Sequence, residues 1–467
     1  MRSQIVPLFG MGNYGKSRTA SAQRHLNLYA ELQPEGEKSR IVFYGTPGTT
    51  LRKSLGDTPV RGWIAIDDLY YLVHRGTLYS VNNAGTATSL GTLDTTSGRV
   101  DMAYDGTTIL ITTGTSGYRY TIGTATFAIV SDADFPDAAK TCAWLGGQFI
   151  VDQGEGEQFQ TSTNGIDWDA LDFASAESNP DGLVRVFVDN GELILFGENT
   201  TEYWGLVPDS DFAFASIKGA TQEFGLAARW SVAKFNSGIA ALMRPSGGQV
   251  QVMFIKGYVP TPISTQEIDS VINGYATVSD ATAYSYRIGG HPMLQINFPS
   301  VLKSWLYDAS SGLWSPLEYG LAGGRHRGEM ALDYLNKTII ADYSTGDIFN
   351  LEADTCTDNG TAIAREIIGK HFFVGGDQFT IEDLFIEFET GVGLSSGQGS
   401  DPQAMLQISV DNGRTFGNEL WTSIGAIGKF LTRAVWRRLG LAQDFVVKIR
   451  LTDPVKFVIT YAAVEMS

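Results

Sequence analysis

Cysteine and histidine are scarce in this sequence, and neither occurs at the spacing of a metal site. The two cysteines, Cys142 and Cys356, lie far apart, and the five histidines are scattered along the chain. A disulfide scaffold needs several paired cysteines, and a structural zinc site needs closely spaced Cys or His ligands. We therefore predict no disulfide framework, no metal site and no cofactor, and we interpret each thiol as a small core residue.

Long apolar runs are missing as well. No segment approaches the roughly 20 apolar residues that a membrane-spanning helix requires. The first residues, "MRSQIVPLFG", also lack the apolar block of a secretory signal. The sequence thus predicts neither a membrane segment nor a secretory leader.

Basic residues are outnumbered, with 34 Lys and Arg against 51 Asp and Glu and a net charge of −17. A protein that grips nucleic acid usually presents a basic face, because contacts to phosphate need Lys and Arg. The acidic balance therefore argues against tight DNA binding. It suits a surface past which DNA slides, since like charges repel at short range.

Glycine and aromatic residues are abundant, with 53 glycines, 11% aromatics and only 18% charged residues. That mixture favours strands joined by tight turns over helices. Apolar hairpins recur along the chain, each turning at Asp, Asn, Ser or Gly, which are residue types that hairpin turns prefer. The turns lie at Asp67-Asp68, Asp105-Gly106, Gly146-Gly147, Asn190-Gly191, Ser237, Gly289 and Asn336.

The spacing of these hairpins predicts a β-propeller. Successive turns are 38 to 52 residues apart, and a loose repeat of this length, with a small antiparallel sheet in each unit, is typical of propeller blades. Seven hairpins indicate six or seven blades. A set of β-sandwiches with ordinary hairpins is the alternative.

The pattern divides the chain into three parts and predicts an all-β fold. Residues 1–55 form an N-terminal arm that can pack with the C-terminal domain, and its best helix candidate is Ser17 to Leu32. Residues 56–370 form the propeller. Residues 371–467, with alternating strands and a polar Gly/Ser loop, form a C-terminal β-sandwich. The segment "TAIAREIIGK" (361–370) fits either a helix or a strand.

The octet "GMGNYGKS", Gly10 to Ser17, matches the phosphate-loop pattern G-x-x-x-x-G-K-[ST]. That pattern binds nucleotide only between a buried strand and a helix of a parallel sheet. Here Pro7 interrupts the preceding strand, and antiparallel hairpins follow. We interpret the octet as a pliable, glycine-rich arm that carries Lys16 and Arg18, and a nucleotide-dependent packaging or ejection factor as the alternative.

The segment "SVDNGRTF" fits the Asp-box, a hairpin motif whose residues here are Ser409, Asp411, Gly413, Thr415 and Phe416. "STNGIDW" (162–168) is a degenerate echo. Asp-boxes are familiar from sialidases, so a propeller-type glycan-binding protein or glycosidase is an alternative function, and "YRIG" with Arg287 faintly resembles a sialidase arginine motif. The Asp-box itself is architectural, and no catalytic constellation accompanies it. We therefore predict a structural Asp-box and no catalytic residue.

The segment "KFLTRAVWRRLG" gathers basic residues and a tryptophan in an otherwise acidic chain. Arg and Trp are enriched in interface hot spots, so this segment is a candidate interface. A solvated strand face with snorkelling arginines is the alternative. The candidate residues are Lys429, Arg433, Trp436, Arg437 and Arg438.

These segments, taken together with others in the same order along the chain, resemble the packaged-DNA stabilisation or tail nozzle (hub) protein family of short-tailed (podovirus) bacteriophages. The matching pieces are "RHLNLYAE" (24–31), "YGTPGT" (44–49), "AESNPDGLVRV" (176–186), "ILFGENTTEYW" (194–204), "WLYDASSGLW" (305–314), "SVDNGRTFG" (409–417) and "VWRRLG" (435–440). A phosphate-loop-like octet is not a feature associated with that family.

The resemblance implies a structural virion protein and not an enzyme. It implies a homo-hexameric ring below the portal and its adaptor, which continues the DNA channel without sequence-specific binding and helps to retain packaged DNA. It also implies a flank that carries tail spikes or fibres and, in some members, a lower surface for a tail needle. The protein would reside in the virion tail and, during assembly, in the host cytoplasm. By analogy, the arm and the sandwich meet the adaptor, so the predicted interface adds Lys16, Arg18, Leu26, Asn27 and Tyr29.

Overall fold

The computed structural model describes residues 4–6, 8–12, 14–154, 156–176, 181–207 and 212–466. The described residues form an almost entirely β fold, as the sequence predicts, with one α-helix, α1 (Gln266–Ile272), and one 3-10 turn (Pro299–Val301). Some quoted motif positions lie outside the described residues: Pro7, Asn13 and residues 177–180 of "AESNPDGLVRV".

Five strands precede the first propeller blade. They are β1 (Gln4–Val6), β2 (Arg24–Leu26), β3 (Leu28–Leu32), β4 (Ile41–Gly45) and β5 (Gly48–Ser54).

The described part of the chain contains seven successive small sheets, which are the blades of the predicted propeller. Blade 1 contains β6 (Val60–Ile66), β7 (Leu69–His74), β8 (Thr77–Asn82) and β9 (Ala87–Thr92). Blade 2 contains β10 (Asp101–Tyr104), β11 (Thr108–Thr112), β12 (Gly117–Thr121) and β13 (Thr126–Ile129). Blade 3 contains β14 (Cys142–Leu145), β15 (Gln148–Asp152), β16 (Gln158–Ser162) and β17 (Phe173–Ser175). Blade 4 contains β18 (Leu183–Asp189), β19 (Glu192–Gly197), β20 (Thr201–Leu206) and β21 (Phe214–Ser216).

The last three blades vary this plan. Blade 5 contains β22 (Phe224–Leu226), β23 (Ala233–Phe235), β24 (Gly238–Pro245), β25 (Gln251–Lys256) and β26 (Val259–Pro262). Blade 6 contains β27 (Thr282–Ile288), β28 (His291–Phe298), β29 (Lys303–Asp308) and β30 (Trp314–Leu317). Blade 7 contains β31 (Gly328–Tyr334), β32 (Lys337–Asp342), β33 (Asp347–Glu352), β34 (Thr357–Asp358) and β35 (Thr361–Ala362) together with β5.

All seven predicted hairpins are present, and each joins two inner strands of one blade. Five of their turns have positive φ at both central residues, which matches the right-handed twist of the flanking strands. These turn pairs are Gly146-Gly147, Asn190-Gly191, Asn236-Ser237, Gly289-Gly290 and Leu335-Asn336. Apolar side chains fill the space between neighbouring blades, as Val73, Ile109 and Ile111 do between blades 1 and 2.

The N-terminal strand β5 closes the propeller. It pairs antiparallel with β33 of blade 7, and the chain then runs directly into β6 of blade 1. The innermost strands β31 and β6 contact each other, which completes the ring of blades. Strand β5 thus lies within the predicted arm but belongs to a propeller sheet.

The remaining strands build a two-sheet sandwich from both ends of the chain. The C-terminal strands are β36 (Arg365–Ile368), β37 (Phe372–Phe373), β38 (Phe379–Phe388), β39 (Gln403–Ser409), β40 (Leu420–Ser423), β41 (Ala434–Ala442), β42 (Asp444–Leu451) and β43 (Val458–Met466). One sheet has the order β3-β4-β43-β38-β41 with β1 on β43, and the other has the order β2-β36-β42-β39-β40 with β37 on β42. A single apolar core that includes Leu28, Phe43, Ile367 and Ile449 lies between them.

The helix predicted over Ser17 to Leu32 is wrong. Strands β2 and β3 occupy its second half, and Asn27 between them has φ of 54°, outside the helical region. Burial along β3 alternates, with Leu28 and Ala30 inside, because the strand pairs with β4 in a sheet. Long-range pairing therefore overrides local helix propensity here. For "TAIAREIIGK", the strand alternative is the observed one, since β35 and β36 lie within it.

Gly10 and Gly12 of the glycine-rich octet pack against the sandwich, so this part of the arm is not a pliable tether. A Cβ at Gly10 would lie 2.4 Å from the Lys370 side chain, and one at Gly12, with φ of +69°, would lie 2.4 Å from the His25 ring. The hydroxyl of Tyr14 donates to the His25 carbonyl at 2.8 Å. These glycines therefore serve close packing around a buried histidine.

Candidate interaction surfaces and an axial arginine cluster

The Asp-box at the end of β39 forms a closed hydrogen-bonded turn. Ser409 Oγ donates to Asp411 Oδ1 at 2.7 Å, and the Gly413 N–H donates to Ser409 Oγ at 2.9 Å. Thr415 donates its hydroxyl to Asp411 Oδ2 at 2.6 Å, and the hydrogen bonds from Thr415 hold the pKa of Asp411 well below its usual range. Phe416 packs against a small cluster of the sandwich. The polar side chains of this box are thus engaged by the turn itself.

The faint sialidase-like segment does not supply a nucleophile. Tyr286 is buried, and burial raises its pKa well above the usual range, so its phenolate is disfavoured. Arg287 is exposed on the adjoining hairpin. The Asp-box, on the sandwich, is part of a different sheet from this strand.

The predicted interface residues of the arm have different environments. Lys16 and Arg18 are exposed, and Leu26 is half-buried. Asn27 is only 1% exposed, and its side chain binds the backbone of Glu318 and Ala364. Its amide is therefore a contact within the chain and is not available to a second molecule.

Tyr29, the last predicted interface residue of the arm, packs on the propeller. Its ring stacks on Tyr44 with a centroid distance of 5.4 Å and meets the ring of His291, in blade 6, edge-on at 5.3 Å. Burial raises the pKa of its hydroxyl. Tyr29 thus joins Asn27 in tying the sandwich to the propeller.

The predicted C-terminal interface residues separate into buried and exposed members. Trp436 is 4% exposed, and its indole N–H donates to the Leu420 carbonyl at 2.7 Å, so it is a core residue of the sandwich. Arg437 lies on the outer face of the edge strand β41, with Nε 3.5 Å from Asp383 Oδ2. Lys429, Arg433 and Arg438 are also exposed.

An exposed apolar tip adjoins these cations, and the sequence analysis did not single it out. In the loop between β40 and β41, Phe430 is 71% exposed and Leu431 is 96% exposed, and Ile427 beside them is also exposed. We call residues 427–433 the tip loop. Phe430 and Leu431 lie between Lys429 and Arg433 in the sequence, so the tip combines exposed apolar area with positive charge. The sequence feature that could have revealed this tip is the apolar pair Phe430-Leu431, which follows a Gly-Lys turn and precedes Thr-Arg.

Six arginines lie at the edge of the propeller where its inner strands begin. Arg61 is the second residue of β6, Arg99 lies two residues before β10, and Arg327 immediately precedes β31. The full set, which we call the axial cluster, is Arg61, Arg99, Arg185, Arg229, Arg325 and Arg327. In blades 1, 2 and 4 an arginine precedes the hairpin turn by five or six residues, so aligning those hairpins by their turns would have exposed part of this recurrence.

Aromatic rings and carboxylates hold the axial cluster together. The guanidinium carbons of Arg99 and Arg185 each lie 5.0 Å from the centroid of the Trp230 ring, a cation–π distance. Arg185 Nη2 is 3.6 Å from Asp101 Oδ2, and Arg99 Nη1 is 3.3 Å from Glu329 Oε1.

Burial also changes the protonation equilibria in the axial cluster. Burial raises the pKa of Asp101 and lowers the pKa of Arg99. The inner part of the propeller at this edge is thus filled by charged side chains.

Within the described ranges, no helix has the length and apolarity to cross a membrane. Among the same residues, no three His, Cys, Asp or Glu side chains come together as a metal-ion site.

Comparison with known proteins places both halves of the chain in one family. The family model described as "Bacteriophage P22 Gp10, beta-propeller" matches residues 4–356, and the one described as "Bacteriophage P22 Gp10, beta-sandwich" matches residues 364–467. A curated relative, the tail hub protein gp10 of Salmonella phage P22, is 26% identical over 275 residues. That alignment covers 57% of this chain and 56% of the relative, so it spans little more than half of the relative's length.

Two solved structures illustrate a distant likeness. The designed protein Ika8 matches with a TM-score of 0.40 at 11% identity, covering 71% of this chain and 99% of its own. The extracellular domain of a hybrid two component system from B. thetaiotaomicron matches with a TM-score of 0.45 at 9% identity, covering 74% and 45%. At such TM-scores these likenesses carry no argument. The family models cover nearly the whole chain and agree with its two kinds of sheet, and the chain therefore belongs to the bacteriophage P22 Gp10 family.

Proposed function

We propose that this protein is a structural hub of a short phage tail and not an enzyme. The observation that carries the proposal is the family match, which spans the propeller and the sandwich and includes a relative named as a tail hub protein. The fold is consistent with a mechanical part, because a ring of blades closed by its own N-terminal strand leaves few free strand edges.

In this proposal six copies form a ring below the portal and its adaptor in the virion tail, after synthesis in the host cytoplasm. The ring continues the DNA channel and helps to retain packaged DNA. Its flank carries spikes or fibres, and a lower surface can hold a tail needle. The net charge of −17 supports a channel through which DNA passes without sequence-specific binding.

The tip loop is the assembly contact that we propose for the sandwich. Phe430 and Leu431 expose large apolar side chains, which mark interaction sites when they occur together at a surface. Lys429 and Arg433 add positive charge beside them, and the rest of the chain is acidic. A neighbouring copy or the adaptor could therefore bind here through apolar contact and charge complementarity. The exposed Lys16, Arg18, Arg437 and Arg438 stay candidates for the same role.

Particle assembly tests this function. Purified protein should add to portal–adaptor particles as a ring visible by negative-stain microscopy, and its mass should correspond to six copies. Heads assembled without the protein should lose their DNA. Full and stable heads in its absence would refute the proposal, as would turnover of a sialoside that depends on Arg287.

A further inference from the structure

A cleft of about 410 Å³ opens beside the axial cluster, between blades 1, 2 and 7. Arg61, Arg99 and Arg325 line it, with Glu329 and Tyr343. We call it the mouth cleft. Arg99 also lines a smaller cavity of about 130 Å³ among the inner strands, so this side chain separates the mouth cleft from the interior of the ring.

Positive charge exceeds negative charge around the mouth cleft. The residues that line it include three guanidinium groups, those of Arg61, Arg99 and Arg325, and one carboxylate, that of Glu329, which both Arg99 and Arg325 bind. A buried charge without a counter-charge is costly, because burial removes its hydration.

Two of the three arginines that line the mouth cleft have a buried donor without a hydrogen-bond partner among the described residues, as do the neighbouring Arg185 and Arg229. Arg325 is 3% exposed, and its Nε has no hydrogen-bond partner among the described residues. The buried Nε of Arg99 likewise has no partner within the described ranges. Guanidinium donors in a fixed fork suit the oxygens of a carboxylate or phosphate. A buried donor that makes no hydrogen bond costs free energy.

Arg61 has a different part in the site. Its Nε donates to the Gly98 carbonyl at 2.6 Å, and Nη1 donates to the carbonyls of Arg75 and Thr95 at 2.8 and 2.7 Å. Its donors are therefore engaged, and it contributes positive charge to the wall of the mouth cleft. These bonds also fix the loop that carries Arg99, because Gly98 is its neighbour.

We propose that the mouth cleft binds one oxyanion, a phosphate or a carboxylate, through Arg99 and Arg325. The cleft, at about 410 Å³, has room for a free ion or a short dicarboxylate together with water. The bound oxyanion joins blade 2 to blade 7 beside the place where β5 closes the ring, and so it stabilises the closed propeller. This inference is independent of the tail function, since it concerns the folded chain alone.

Anion titration of the full-length protein tests the proposal. We expect inorganic phosphate, malonate or both to raise the Tm at constant ionic strength, because a ligand that binds only the folded state stabilises it. Chloride at matched ionic strength is the reference. A response to phosphate alone or to malonate alone identifies the oxyanion, and calorimetric titration with that ion gives its affinity.

Variants locate the binding. Arg325→Gln should weaken binding by about tenfold or more, the loss expected for a charge-assisted hydrogen bond. Arg325→Lys should retain part of the affinity. The exposed Arg244 on β24 offers a matched control, and Arg244→Gln should bind as the parent chain does.

An equal response in Arg325→Gln and the parent chain would overturn the proposal, as would the absence of any specific response to both ions. If Arg325→Gln does not fold, the proposal is tested with crystals of the parent chain soaked in selenate. Anomalous density between the Arg99 and Arg325 side chains supports the site, and density elsewhere or nowhere rejects it.

Discussion

Asn27 pairs with the backbone of Glu318 through both ends of its side-chain amide. Its Nδ2 donates to the Glu318 carbonyl at 3.0 Å, and its Oδ1 accepts the Glu318 N–H at 2.9 Å. The same Nδ2 donates to the Ala364 carbonyl at 2.8 Å. A single side chain thus acts as a strand-like partner for the segment that leaves blade 6, and it joins the sandwich to the propeller.

Replacing this amide should destabilise the whole molecule. Asn27→Ala removes three hydrogen bonds, of which the one to Ala364 is buried, and leaves backbone groups of Glu318 and Ala364 unpaired, while the backbone keeps φ of 54°. We expect a loss of about 2–4 kcal/mol in the free energy of unfolding, measured by urea denaturation. Asn418→Ala, at an exposed position, should change it by less than about 0.5 kcal/mol. Equal stabilities for the two variants would contradict a stabilising role for the Asn27 hydrogen bonds.

Gly12 and Gly36 form a matched pair for testing the packed arm. Both have positive φ, but a Cβ at Gly12 meets the His25 ring at 2.4 Å, whereas nothing lies within 4 Å of one at Gly36. Gly12→Ala should therefore cost about 1–3 kcal/mol more than Gly36→Ala, because the histidine or the loop must move. Thermal denaturation measures the difference. Faster proteolysis within the first 25 residues of Gly12→Ala would accompany it, and indistinguishable variants would reject the packing.

A buried carboxyl group makes part of the stability depend on pH. Asp358 in β34 is buried, and burial raises its pKa to about 7, against roughly 3.9 in an unfolded chain. Between these values the folded state holds the proton that the unfolded state has lost, so stability falls as pH rises from about 4 to about 7 and then levels.

Asp358→Asn should remove this contribution and raise the free energy of unfolding at pH 8 by about 2 kcal/mol. Urea denaturation across the pH range measures it. The neighbouring Asp354, which is exposed, provides the control, since Asp354→Asn should leave the pH profile unchanged. A profile that keeps its slope between pH 4 and pH 7 in Asp358→Asn would assign that slope to other groups.

The tip loop should affect assembly without affecting folding. Phe430 and Leu431 are exposed, so the double change Phe430→Asp with Leu431→Asp should leave the Tm within about 2 °C of the parent chain. We expect it to lower attachment to portal–adaptor particles by tenfold or more, because a hot-spot contact would be lost. The exposed apolar Val259, on blade 5, gives a control as Val259→Asp. Normal attachment of the double variant would exclude the tip loop from the interface.

Local features of the propeller were predictable from the sequence, because they depend on short stretches of chain. Turns such as Asn190-Gly191 and Gly146-Gly147 carry their positive φ in the residue types themselves. The Asp-box of the sandwich was predictable for the same reason, because Ser409 and Asp411 form hydrogen bonds with groups only a few residues away.

Features that depend on distant partners were not predictable in this way. Strand β5 pairs with β33 about 300 residues away, and the segment 17–32 becomes two strands because sheets formed with the other end of the chain accept them. Trp436 lies in a basic segment but points into the core, which periodicity alone did not reveal. The mouth cleft needs the ring to be closed before Arg99 and Arg325 can meet at Glu329.

The closure of blade 7 by β5 also orders events during synthesis. Strands β3 and β4 can pair with each other early, but β5 must wait for β33, β2 for β36, and β1 for β43. Strands β1, β2 and β5 therefore stay unpaired while more than 290 residues are made. Folding of such non-local pairings is slow, and unpaired strands are prone to aggregation while they wait. Strands β1, β2 and β5 are thus the segments that we expect molecular chaperones to shield until β33, β36 and β43 have been made.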